Sequence, residues 1–451
     1  RRAAAAAAAV ATDGAGSALE AATALPQDIA ELSVSTLASC GGKVSFGRGA
    51  ATALISESVA SLAARGGAGA GGGEDTRVLV VAGKADRFAS RVQEELLRTG
   101  VTSAVFHVED EPSAETVHAV VKAAADVHGG QADVVVGVGG GAAIDAAKAA
   151  AALLGNGGTE ATAYDFLSGA DGRGLSLSRA SVPCLAIPTT ASSGAEATGS
   201  AVLGVGGDDG GKAVMRADAL VPEVALVDPE LTYGLPEDLT ASGGAAALVR
   251  CIEAYVAGGD GATSLTEPLA LAGIELGARS LRRAVRGAAT GVEDEEAREE
   301  MALCALYAGL AGDNAPLGAS HALARVLGGM LGAPHASLAA ALAPLCTYQA
   351  MKLAHTRIVD FDVKDCTAEE ALMRRYKRVA FALTGNESAS EADGAGELYD
   401  LIDDMPIPTL REMGLTRDMF PDVIEQAMQT GAMGAMTEDD LALLLKASLF
   451  S

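Results

Sequence analysis

VVVGVGGGAAIDAAK, residues 134–148, runs from an unbroken apolar stretch through three glycines straight into an alanine-rich segment. The run Val134, Val135, Val136 suits a strand buried on both faces, and the alanines that follow favour a helix. Gly139, Gly140 and Gly141 carry no Cβ, so a ligand can lie against the backbone there. The helix start adds unpaired N–H groups and a partial positive charge. Strand, glycine loop and helix in this order predict a seat for a pyrophosphate. The spacing departs from the GxGxxG pattern, and the same glycines also suit a plain tight turn. Asp145 and Lys148 stand one helical turn apart, and a pair between them reads as scaffold rather than chemistry.

Working outward, VSFGRGA (44–50) and TRVLVVAG (76–83) read as strands, and the second opens an alternation. SRVQEELLRTG is helical, TSAVFHV extended, SAETVHAVVKAAADVHG helical, and ADVVVGV feeds the glycine loop. Such alternation implies right-handed crossovers and a parallel sheet. PCLAIPTT (183–190) is a further strand ending in the polar run TTASSGAE, and VALVDPEL (224–231) is the last strand signal. From about residue 236 onward β-branched runs nearly vanish and helical periodicity takes over. The chain therefore divides into an α/β domain over residues 36–234 and an all-α domain over 235–451. Ligands of open α/β sheets sit outside the carboxyl ends of the strands, which puts the cleft between the two domains.

Composition narrows the partners. The 451 residues carry 33 Lys and Arg against 59 Asp and Glu, a formal charge of -26, with a pI near 4.6. A nucleic-acid backbone or an anionic membrane would be repelled over most of such a surface, so neither is expected as a partner. No long apolar run with membrane-like flanks appears. The six cysteines are scattered without CxxC spacing and read as reduced, mostly buried thiols of a cytoplasmic protein. Residues 1–35 begin RRAAAAAAAVATDG and read as a disordered Ala-rich tail; the alternative is the remnant of a plastid or mitochondrial transit peptide.

Three further segments follow the glycine loop: IPTTASSGAEAT (187–198), VDPELTYGLPEDLTASGGAAALVRCIEAY (227–255) and LGASHALARVLGGMLGAPH (317–335). In this order and spacing they resemble the iron-containing alcohol dehydrogenase family, which includes glycerol and butanol dehydrogenases and maleylacetate reductases. The resemblance covers roughly residues 40–451. It implies an N-terminal dinucleotide-binding domain with a parallel sheet and an all-α C-terminal domain, an architecture shared with dehydroquinate synthase. It also implies hydride transfer between a nicotinamide cofactor and an alcohol or carbonyl, and is compatible with a homodimer.

The resemblance assigns Gly139, Gly140 and Gly141 to the pyrophosphate and Thr189, Thr190 and Ser193 to phosphate and ribose. Short hydroxyls after a strand suit that role, although Thr189 or Ser193 would equally cap a helix. Lys212 matches a lysine that reaches the cofactor; a solvated lysine is the other reading. Where NAD-preferring members often present an acid to the adenine ribose, this chain has Gly83, then Lys84 and Arg87. That tilts the expectation toward NADP over NAD.

The family's metal ligands are an Asp and a His one turn apart, then two further His residues. Here the first two positions fall on Ala246 and Arg250, and the others on His321 and His335. Two histidines alone bind a dication poorly and a guanidinium repels one, so bound iron or zinc is disfavoured. A further family histidine is replaced by Arg325. The expected catalytic group is thus His321, His335, Arg250 and Arg325, with guanidinium charge orienting an oxo substrate or stabilising its alkoxide. The bland alternatives are an Arg250 that snorkels or pairs with Glu253, and packed core histidines. The resulting expectation is an NAD(P)-dependent alcohol dehydrogenase or carbonyl reductase acting on an alcohol, aldehyde, ketone or oxo acid. The alternative is a nucleotide-binding member without activity.

Overall fold

The strand that opens the sequence reading, Val134–Gly139, is buried along its whole length and pairs in parallel with a strand on each side. In this computed structural model, residues 35–38, 42–65, 76–84, 88–128, 132–168, 172–206, 211–257, 265–360 and 365–449 are described. Residues 1–34 of the Ala-rich tail and Arg87 lie outside them, while Ser35, assigned to that tail, begins a strand.

The N-terminal part runs β1 (Ser35–Ala38), β2 (Lys43–Phe46), α1 (Ala50–Arg65), β3 (Val78–Gly83), α2 (Ala89–Arg98), β4 (Ser103–Val108), α3 (Ala114–His128), β5 (Val134–Gly139), α4 (Gly141–Gly155), α5 (Ala163–Phe166), β6 (Leu167–Ser168), β7 (Cys184–Pro188), β8 (Ser200–Gly204), β9 (Lys212–Arg216) and β10 (Val224–Val227). The main sheet has the order β1-β2-β10-β7-β5-β3-β4, parallel except for β1. The alternating strands and helices account for this directly, because a parallel pair needs a crossover and a helix supplies it. One face packs against α1 and α2 through Ile55, Val59, Val92 and Leu96, and the other against α3 and α4 through Val117, Val121 and the alanines of α4.

The C-terminal part is helical among its described residues: α6 (Glu237–Ala257), α7 (Thr266–Thr290), α8 (Glu295–Asp313), α9 (Ala319–Leu331), α10 (His335–Val359), α11 (Thr367–Thr384), α12 (Glu391–Asp403), α13 (Phe420–Gln429) and α14 (Glu438–Ala447). α6, α7 and α8 share a core of Leu248, Ile252, Ile274, Leu281 and Met301. No described helix is long and apolar enough to cross a membrane.

Three strand readings need correction. VSFGRGA stays extended only to Phe46, because Gly47, Arg48 and Gly49 turn the chain into α1. PCLAIPTT is extended only from Cys184 to Pro188. VALVDPEL stops at Val227, where Asp228 accepts hydrogen bonds from the Gly49, Ala51 and Glu230 amides and starts a 3-10 turn. A second, antiparallel sheet β6-β9-β8 was not anticipated from the sequence. It covers α4 and carries Lys212 at its start.

Candidate active site

β5 ends at Gly139, whose φ of +150° only glycine adopts without strain, and a Cβ there would lie 2.9 Å from Ala143 Cβ. Gly140 then starts α4 with no side-chain cap. The first bond of that turn runs from Ile144 N–H to Gly140 O at 3.2 Å, so the Gly141, Ala142 and Ala143 amides precede the helical ladder. A Cβ on Gly140 would sit 3.4 Å from Thr190 Oγ1, and one on Gly141 only 2.8 Å from Ser193 Oγ. Thr189 N–H donates to Gly139 O at 2.9 Å. Gly139, Gly140, Gly141, Thr189, Thr190 and Ser193 thus meet at the carboxyl ends of β5 and β7. The helix-capping alternative fails, since the 3-10 turn Ala195–Ala197 starts at Gly194 without a side-chain cap. Free helical amides beside short hydroxyls, with no carboxylate among these six residues, fit a pyrophosphate.

Behind the loop, Lys148 is buried and donates to Ala195 O at 2.9 Å and Thr198 Oγ1 at 2.8 Å, with its Nζ 3.2 Å from Asp145 Oδ1. Asp145 in turn accepts from the Val202 amide at 3.1 Å. This pair ties α4 to the turn after β7 and to β8, a scaffold role. Glu196, in that turn, is buried, and its carboxyl is pushed up to about 7 by desolvation, which Lys148 and Arg250 only partly offset.

The same turn docks the sheet onto the helical domain. Gly194 has φ +67°, and a Cβ on it would lie 2.3 Å from Ala305 O of α8; one on Gly309 would lie 2.2 Å from Gly194 O. Only two glycines allow this approach of the sheet's turn to α8.

The facing side is built on α6, α9 and α10. Glu253 of α6 is buried and accepts from the Gly318 and Ser320 amides, each at 2.9 Å, so it caps the start of α9. Its Oε2 is also 2.7 Å from His321 Nδ1. Burial works to raise this carboxyl, but the His321 ring and the Ser320 hydrogen bonds outweigh it and hold it below the ordinary glutamate value. An ionised carboxylate only accepts, so His321 Nδ1 carries the proton and Nε2 is left facing away. The His335 ring lies 5.6 Å from that of His321, centroid to centroid. Desolvation first, then His321, Lys212 and Arg250, hold His335 well below the ordinary histidine value, so its ring is neutral, and its Nδ1 is buried without a partner.

Arg250 does not pair with Glu253, contrary to one sequence reading; Glu253 is committed to His321 and α9. Instead Arg250 Nε donates to Ala308 O of α8 at 3.1 Å, and the arm lies over Gly312, where a Cβ would be 2.3 Å from Nε. Arg325 is half-buried on the same face of α9 as His321, one turn on, with no ion pair among the described residues. Lys212 is not solvated: it is nearly buried against Gly328 of α9 and sits 3.1 Å from Glu111 Oε2. Its charge is felt at His335. At the end of β3, Gly83 is 3.8 Å, measured from its Cβ position, from Gly139 Cα, and the exposed Lys84 is 3.7 Å from Asp110. That acid was not foreseen.

These residues do not fit a divalent metal. Position 246 offers a methyl group and position 250 a cation without a lone pair. Among the described residues no three His, Cys, Asp or Glu side chains come together in a way that could hold an ion.

A parallel sheet ending in a glycine loop, packed on an all-helical domain, defines the class of fold. Residues 41–229 match the family model described as iron-containing alcohol dehydrogenase, and residues 240–449 match the C-terminal model of the same family. The chain belongs to the iron-containing alcohol dehydrogenase family and is an oxidoreductase of that family. It is 34% identical over 358 residues to long-chain-alcohol dehydrogenase 1 of Geobacillus thermodenitrificans, covering 78% of this chain and 81% of that one. It is 33% identical over 356 residues to 4-hydroxybutyrate dehydrogenase of Cupriavidus necator, covering 78% and 83%. Among solved structures, an alcohol dehydrogenase from Oenococcus oeni superposes with a TM-score of 0.72 at 25% identity, over 90% of this chain and 97% of that one.

Glu253 is the site residue that the sequence reading missed. Its position three residues after Arg250 on α6 was visible, but that spacing suggested an intrahelical partner, whereas a buried carboxylate is better served by amide donors at a helix start.

Proposed function

We propose that this chain interconverts an alcohol and an aldehyde, ketone or oxo acid by hydride transfer with a nicotinamide dinucleotide, NADP in preference to NAD. The observation that carries the reading is the Gly139–Gly141 loop with Thr190 and Ser193 against it, followed by the turn at Gly194 that packs on Gly309 of α8, next to the Ala308 carbonyl that Arg250 meets. Bound on that loop, the dinucleotide would supply hydride at its nicotinamide ring.

The chain's own residues do the rest. The amides of Gly141, Ala142 and Ala143 bind the pyrophosphate; Thr189, Thr190 and Ser193 hold phosphate and ribose oxygens. His321, its Nδ1–H held by Glu253, donates from Nε2 the proton that the product oxygen takes when the ring carries both protons, and is left as the neutral Nδ1–H tautomer. His335, kept neutral, and Arg325 on the same helix face as His321 complete the wall of the pocket. Preference for NADP is supported by Gly83, which presents no carboxylate, and by the exposed ammonium of Lys84, although Asp110 tempers it.

The test is oxidation of NADPH and NADH, followed optically, with aldehydes, ketones and carboxylate-bearing ketones. NADPH turnover with a member of that panel is expected. Tight NADPH binding with no turnover on any of them would instead favour a nucleotide-binding protein without dehydrogenase activity.

A further inference from the structure

We infer that the guanidinium of Arg250 stands where metal-dependent relatives hold a dication, and that it meets the substrate oxygen that gains charge as hydride arrives. This rests on the hydride reading above. Four observations carry it.

The first is the missing donor set: Ala246 and Arg250 occupy one helical face of α6, and His321 and His335 are the remaining ligand types. The second is that Arg250 is built in. Its Nε is bonded to Ala308 O, and Gly312 is the residue that lets the arm lie flat on α8, since any Cβ there would collide. A surface arginine that merely reached solvent would need neither.

The third is that its terminal nitrogens are open. They meet no acceptor among the described residues, yet neither is among the buried unpartnered atoms, so solvent reaches both. Two of the acids whose field reaches Arg250 are spent elsewhere, and a third, Glu196, is pushed toward its protonated form by burial. Asp313 accepts from the Gly199 amide at 2.9 Å and from Arg216 at 3.1 Å, and Asp145 is held by Lys148 and the Val202 amide. A half-buried cation with unused donors is costly unless something anionic comes to it.

The fourth is its company: Arg250 stands three residues before Glu253 on the same face of α6, and Glu253 Oε2 is 2.7 Å from Nδ1 of His321, whose ring lies 5.6 Å from that of His335. A fixed fork of N–H donors aimed at a developing oxyanion, with no reorganisation at the moment of reaction, is an effective substitute for a Lewis acid.

The step balances without a metal. With the dinucleotide bound, hydride would carry its electron pair to the carbonyl carbon, the C=O π pair would move onto oxygen, and that oxygen would take the Nε2 proton of doubly protonated His321, leaving its ring neutral. The dihydronicotinamide is left as the oxidised cation. Arg250 keeps all its protons and compensates charge.

The experiment uses the full chain and two kinds of readout. Zinc binding is measured by calorimetry and elemental analysis on the native protein and on the double variant Ala246→Asp with Arg250→His. The native protein is expected to hold no stoichiometric zinc, and the double variant one. Turnover with NADPH is then measured for the native protein with and without chelator, for Arg250→Ala and for Arg250→Lys, with NADPH binding and thermal melting as controls. The native rate should ignore chelator. Arg250→Ala should lose roughly 100-fold or more in kcat, with NADPH affinity kept, and should recover part of it with added guanidinium; Arg250→Lys should fall between.

Stoichiometric metal in the native protein that is needed for its turnover overturns the inference, as does an Arg250→Ala variant as fast as native. Failure of the hydride reading looks different: no panel carbonyl oxidises bound NADPH in any variant, zinc-loaded double variant included, and both proposals then fall.

Discussion

Glu253 Oε2 lies 2.7 Å from His321 Nδ1, and the same carboxylate accepts the Gly318 and Ser320 amides, so one buried group both caps α9 and sets the tautomer of the ring that α9 presents. Replacing Glu253 by Gln keeps the shape but removes the charge and lets the side-chain amide compete for the ring. The expected outcome is a fall in kcat of roughly 10-fold or more with little change in NADPH affinity, and a loss of stability of about 1–3 kcal/mol. Steady-state kinetics beside a denaturant melt check both numbers. An unchanged kcat removes His321 orientation from the account.

The glycine loop has a steric signature of its own. Gly141→Ala puts a methyl group 2.8 Å from Ser193 Oγ, in the space assigned to the pyrophosphate. NADPH affinity should drop by about 10-fold or more, a loss of roughly 1.4 kcal/mol or more, while the melting temperature barely moves. Adding Ser193→Ala clears the collision without restoring the hydroxyl, so the double variant should bind NADPH better than Gly141→Ala alone. Fluorescence titration of NADPH reads this directly.

Gly309→Ala tests the seam between sheet and helices. Its Cβ would fall 2.2 Å from Gly194 O, backbone against backbone, so neither side can give cheaply. Overpacking of this kind costs about 1–3 kcal/mol, to be seen as a lower denaturation midpoint. Because Arg250 is bonded to the neighbouring Ala308 carbonyl, kcat/KM should fall as well.

Glu196 predicts a pH dependence of stability. Its ordinary value is 4.5, and burial raises it to about 7 in the folded chain. Between these values the unfolded chain has lost the proton and the folded chain keeps it, so this group makes stability fall as pH rises from 4.5 to 7. Glu196→Gln removes that contribution, and at pH 8 the variant should be more stable than native by up to about 3 kcal/mol. Melts at a series of pH values decide it; a native and variant difference that does not grow between pH 4.5 and 7 contradicts the assignment.

Much of this arrangement was legible in the chain because its signals are local. The change from Val134–Val136 to three glycines and then alanines marks strand, loop and helix with no tertiary information, and the positions of Thr190 and Ser193 follow once β5 and β7 are neighbours. What could not be read depended on partners far apart in sequence. Lys212 was open between a cofactor contact and a solvated side chain; it is not solvated but packs on α9 beside Glu111, a placement set by the β8–β9 hairpin. That hairpin was passed over because GVGGDDGG between its strands looks like loop, although Ser200–Gly204 and Lys212–Arg216 do alternate buried and less buried positions. Glu253 was misassigned for the same reason: helical spacing points to Arg250, while the donors that satisfy its carboxylate come from more than sixty residues downstream.

The most direct test of the central claim is isotopic. NADPH carrying deuterium on both C4 positions is incubated with the protein and the panel of aldehydes, ketones and oxo acids, and the alcohol formed is examined by mass spectrometry. The account predicts one deuterium on the carbinol carbon of the product, in step with NADPH consumed. Bound NADPH with no labelled alcohol from any member of the panel would contradict it.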